Sequence, residues 1–65
     1  MRIRYFAETD TLWIELRDVE VAETRDLDAN TLVDLDDHGA VCSITVEHAS
    51  ERTDVTAVWF EQVPA

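Results

Sequence analysis

The residues with the most chemical promise are Asp34, Asp36 and Asp37, followed by His38 and by Gly39, the only glycine in the chain. Written as Asp-x-Asp-x-x-Gly, they imitate the first half of a calcium-binding loop. A full loop of that kind has a bidentate carboxylate at its twelfth position and a helix on either side. Counting from Asp34, that position is Thr45, and both flanks alternate like strands. A tight hairpin uses the same residues, because Asp tolerates turn conformations and glycine can take a positive φ. A hairpin turn is the expectation. A small-ligand or cation-binding module on Asp34, Asp36 and Asp37 is the alternative.

His38, Cys42 and His48 are the soft metal ligands. Cys42 and His48 share a strand parity, but at ~3.3 Å per residue they lie about 20 Å apart along one strand. They cannot share a metal there, and a tetrahedral zinc would need ligands from a second subunit. Cys42 reads as a small core or interface residue. No metal site and no cofactor is assigned. Nucleophilic catalysis fares no better. A nucleophile needs a base in hydrogen-bond reach and a group to orient that base, and nothing assembles these around Ser43, whose parity points it outward, or Ser50. No catalytic residue is assigned, and a non-enzymatic protein is expected.

Trp13 is out of phase with Leu12 and Ile14, so it points away from the core face. Tryptophan is enriched at interfaces, although a cross-strand contact on the outer face explains it equally well. Trp59 and Phe60 have opposite parities, so one of them is expected to escape the core. Trp13, Trp59 and Phe60 are the candidate interface residues.

Strands must position these groups. Apolar alternation marks residues 2–6, 11–17, 31–36 and 40–48, with a weaker candidate at 21–25. Residues 26–30 read as a turn. The tail, 55–63, is ambiguous. Its Val-Thr-Ala-Val-Trp-Phe composition favours a sixth strand, and a short helix after Ser50 or Thr53 is the alternative. The expected fold is one mainly β domain over residues 1–65, a small antiparallel meander of five or six short strands. Its expected core face is Ile3, Tyr5, Leu12, Ile14, Leu16, Val33, Leu35, Ile44 and Val46. A helix, the folded-over tail or a second subunit must cover that face, since a single sheet leaves it open.

Composition narrows the partners. The 65 residues bury only ~60% of their unfolded surface, which makes the core thin and favours oligomerisation. One cysteine excludes an internal disulfide and suits a reducing compartment. Fifteen carboxylates against five arginines give a net charge of -10. That surface repels nucleic-acid backbones and anionic membranes and attracts basic proteins. A carboxylate interrupts the opening residues before an apolar leader forms, and no apolar run approaches the ~20 residues of a membrane span. A soluble, cytoplasmic homodimer or other homo-oligomer is expected.

These residues carry a resemblance. Over about residues 3–50 the chain resembles a small prokaryotic family catalogued as a domain of unknown function, number twenty-two eighty-three. The family opens with Tyr-Asp-x-x-x-Asp-x-Leu-Tyr-Ile-x-Leu. Here Tyr5, Asp10, Leu12, Ile14 and Leu16 match, while Phe6 replaces the Asp and Trp13 the second Tyr. Val21-Ala22-Glu23-Thr24, Val33-Asp34-Leu35-Asp36-Asp37-His38-Gly39 and a closing Ile44-to-Ser50 segment follow the family pattern, with Ser43 where a glycine is common. The resemblance brings no catalytic residues. It implies an antitoxin-like or other partner-binding role, in which an acidic protein occludes a basic one. The expected function is a non-enzymatic interaction domain that self-associates.

Overall fold

A computed structural model describes residues 1–65. The alternating runs become strands: β1 (Arg2–Phe6), β2 (Thr11–Glu15), β3 (Glu23–Asp28), β4 (Thr31–Leu35) and β5 (Val41–Glu47), with a 3-10 turn at Ala49–Glu51. All pairings are antiparallel, in the order β1-β2-β5-β4-β3. Strands β3, β4 and β5 follow one another as a meander. The β1–β2 hairpin docks with β2 beside β5, so residues 16–22 carry the chain from one half of the sheet to its far edge.

The register sorts the side chains onto two faces. Ile3, Ile14, Ile44 and Val33 form one row across four strands, and Tyr5, Leu12, Val46 and Thr31 form the next. The other face carries Arg2, Glu15, Ser43, Asp34 and Thr24 in one row, and Arg4, Trp13, Thr45, Leu32 and Asp26 in another. The expected core face is thus the apolar face.

Its burial is uneven. Val33, Leu35, Cys42 and Ala49 are the buried apolar residues, joined by Thr31 and Ser43. Complete burial of an aliphatic side chain stabilises by about 1.5–3 kcal/mol, so the centre at β4 contributes most per residue. Ile3, Tyr5 and Leu16, expected in the core, are exposed. β1 has a sheet neighbour on one side only, and β2 ends at Glu15 before Leu16 is reached.

Two expected elements change. The third strand is Glu23–Asp28 rather than 21–25, and it takes in three residues read as turn. Its sequence, Glu-Thr-Arg-Asp-Leu-Asp, has no alternation. The ladder to β4 makes it a strand, with Leu27 as the irregular residue where the register shifts. Asp28 then caps the short turn by accepting a hydrogen bond from the Asn30 N–H at 2.8 Å. The tail, 55–63, is neither strand nor helix. Thr53, Asp54, Val55, Ala57 and Val58 instead line a groove on the apolar face beside β1 and β2, and only Val55 among them is half-buried, so the cover is partial.

Candidate functional site

The acidic loop is a turn. The Asp36 N–H donates to the Ala40 carbonyl at 2.9 Å, and the Gly39 N–H donates to the Asp36 carbonyl at 3.0 Å. Gly39 has φ 79°, a left-handed conformation that a Cβ disfavours. One Asp36 carboxylate oxygen accepts the backbone N–H groups of His38 and Ala40, both at 2.9 Å. The other accepts the Arg17 guanidinium at 2.7 Å. The Arg17 hydrogen bond, followed by that from Ala40, lowers the Asp36 pKa from 3.8 to about 2. Arg17 comes from the crossing connection, so this ion pair ties that connection to the hairpin.

Asp34 is turned to the other face. It accepts the Ser43 hydroxyl at 2.7 Å and the Thr24 hydroxyl at 2.6 Å, across β5 and β3. Asp37 and His38 point into solvent. The three aspartates therefore do not converge, and no group of three His, Cys, Asp or Glu side chains stands close enough to hold a metal ion. His48 faces Asn30 at 2.9 Å instead. Cys42 is buried at the register shift between β4 and β5, and burial raises its thiol pKa. Ser43 has the outward parity expected of it, but is buried beneath its bond to Asp34.

A second carboxylate corner was invisible in sequence. Asp10, at φ 54°, accepts the Tyr5 hydroxyl at 2.7 Å, the Ser50 N–H at 3.0 Å and the Ser50 hydroxyl at 2.7 Å. Hydrogen bonds from Ser50 and then Tyr5 lower the Asp10 pKa, and the same contact raises that of Tyr5. The Asp10 carbonyl also accepts the Ala49 N–H at 3.0 Å. This corner fastens the first hairpin to the turn after β5. Tyr5 and Asp10 flank the β1–β2 turn, which is the one signal that could have paired them; nothing local points to Ser50.

The candidate interface residues separate into two places. Trp13 stands on the polar face, opposite Arg4, whose guanidinium lies 5.8 Å from the ring centroid. Trp13 is half-buried, and a shallow hollow is lined by Arg4, Phe6, Thr11, Trp13 and Thr45. Cross-strand packing on the outer face thus accounts for its position. Trp59 and Phe60 lie on the tail and are 88% and 76% exposed. Between tail and sheet, on the apolar face, runs a groove of about 520 Å³. Ile3, Tyr5, Leu12 and Ile14 line it from the sheet, and Val55 and Val58 from the tail.

A five-stranded antiparallel sheet with carboxylate-tied corners and one half-open apolar face defines a small β-sheet domain. The chain belongs to the family described as "Protein of unknown function (DUF2283)", whose model matches residues 2–50. Comparisons with curated proteins and with solved structures gave no match. The match takes in β1 to β5 and the Asp10–Ser50 corner, and stops before the Trp59–Phe60 segment. Tyr5 and Asp10, from the opening motif of the pattern that carries the resemblance, meet Ser50, from its close, in one hydrogen-bonded cluster.

Proposed function

We propose that the chain is a non-enzymatic interaction domain that self-associates through its apolar sheet face and offers its acidic surface to a basic protein partner, as an antitoxin-like protein would. One observation carries the reading: the surface left exposed. The chain exposes 5137 Å². A folded monomer of 7.4 kDa averages about 4,200 Å², so the surplus is about 900 Å². A standard interface removes about 800 Å² from each partner. Exposed Ile3, Tyr5, Val58, Trp59 and Phe60 contribute to that surplus. The net charge of -10 supports the choice of a basic partner, through faster encounter and exclusion of acidic competitors.

Sedimentation velocity tests self-association. Dimers or larger species should form by high micromolar concentration and strengthen with added salt, which screens repulsion between acidic copies. A strict monomer at that concentration sinks the proposal. Co-expression with the product of the adjacent gene tests the partner. A complex that weakens as salt rises is the expected result.

A further inference from the structure

The tail and the groove are complementary, and they stand on the same chain. The groove is apolar along the sheet, where Ile3, Tyr5, Leu12 and Ile14 line it. Yet Ile3 and Tyr5 remain 38% and 36% exposed, because the tail lines the groove without closing it and only its Val55 is half-buried. Val58, Trp59, Phe60 and Val63 are all more than two-thirds exposed, at 68%, 88%, 76% and 77%. Exposing a tryptophan and a phenylalanine side by side is costly, since each ring can bury about 150–250 Å².

We infer that residues 58–63 of one copy, led by Trp59 and Phe60, fill the groove of a second copy, with the exchange reciprocated about a twofold axis. Three observations select a second copy over other occupants. The surplus exposed surface matches one side of a standard dimer. A twofold contact buries both halves of the complementary pair at once, since each copy supplies an arm and a groove. The electrostatics also fit. In a chain of net charge -10, residues 55–65 carry one charged side chain, Glu61, and of the nine residues that line the groove only Asp54, on its tail side, is charged. Two acidic copies therefore meet where repulsion is least. Reach is adequate: six extended residues span ~20 Å, about the width of four strand spacings. The inference rests on the self-association reading and assigns its interface. The groove's sheet side lies within the residues the family model matches, and the arm lies outside them.

The full-length W13F variant, in which Trp59 is the sole tryptophan, provides the test. Sedimentation and Trp59 emission are followed together across concentration. Emission should move to the blue in step with dimer formation. The W59S/F60S double variant of the otherwise native chain should raise the dimer dissociation constant at least tenfold while leaving the melting temperature of dilute protein unchanged. Four results overturn the inference. If W59S/F60S dimerises like the native chain, or Trp59 stays red in the dimer, self-association stands but uses another surface. If Trp59 is blue even in dilute monomer, the arm packs on its own sheet. If the native chain is a strict monomer, the inference and the self-association reading fall together.

Discussion

The interior strand β4 and the edge strand β1 carry similar apolar residues and meet different fates. Val33 and Leu35 of β4 are 6% and 5% exposed, while Ile3 and Tyr5 of β1 stay above a third. Both pairs lie on the same face of the same sheet. What differs is neighbours. β4 has β3 on one side and β5 on the other, and its end is tied down by Arg52, which donates to the Asn30 carbonyl at 3.1 Å and the Thr31 hydroxyl at 2.7 Å. β1 has one neighbour and a partial cover. Alternation tells which face a side chain joins; only tertiary position tells whether that face is closed. The difference divides the sheet into a half whose apolar face is closed and a half whose apolar face is only partly closed.

The largest expected effect tests that division directly. Leu35→Ala should cost ~2–5 kcal/mol, a large share of the ~3–10 kcal/mol expected for a chain of this length. Ile3→Ala, in protein dilute enough to be monomeric, should cost about 1 kcal/mol or less. At high concentration the order reverses for assembly, because Ile3→Ala should weaken self-association. Urea denaturation read at two protein concentrations checks both statements. Equal losses at the two positions in dilute protein would erase the distinction between the halves.

Four of the strands and both faces were legible because period-two alternation is a property of the residues themselves. β1, β2, β4 and β5 all carry it. β3 does not: its acidic, irregular sequence becomes a strand only because β4 offers a ladder, and its carboxylates then guard an open edge. The tail misled for a related reason. Val-Thr-Ala-Val-Trp-Phe has strand-forming composition, but no strand pairs with it, and the tail stays irregular beside the apolar face with only Val55 half-buried. The carboxylate roles were the least legible. Asp34 and Asp36 looked like members of one loop, yet Asp34 serves a cross-strand row on β4 and Asp36 a turn. Asp10 and Ser50 are forty residues apart, and only the closed sheet brings them together.

A smaller effect compares the two carboxylate corners. Asp36 has its pKa lowered from 3.8 to about 2, so the folded state binds its proton less readily than the unfolded chain. Its contribution is therefore present above pH ~4 and is lost as pH falls towards ~2. The Asp10 pKa is lowered too, through neutral hydroxyl and amide donors rather than an arginine. The melting temperatures of D36N and the native chain should differ at neutral pH and converge below pH ~3. Added salt should narrow the D36N difference more than the D10N difference, because only the Asp36 corner holds an ion pair. Parallel salt responses would show that the Arg17 contact contributes little and that the two corners are equivalent backbone clamps.

The smallest expected effect concerns calcium. Any ligand that binds only the folded state raises its stability by mass action, so a site on Asp34, Asp36 and Asp37 would announce itself as a higher melting temperature at millimolar calcium. The geometry argues for none. The Asp34 oxygens are engaged by Ser43 and Thr24, those of Asp36 by Arg17 and two backbone amides, and Asp37 faces solvent with His38 Nε2 3.6 Å away. Calcium should shift the native chain no more than magnesium does, through general screening of fifteen carboxylates. A calcium-selective rise, abolished in D34N, would mean that the loop rearranges around the ion and gives up the Ser43 and Thr24 contacts. That result would favour a cation-binding role for the hairpin over the proposed role of the apolar face.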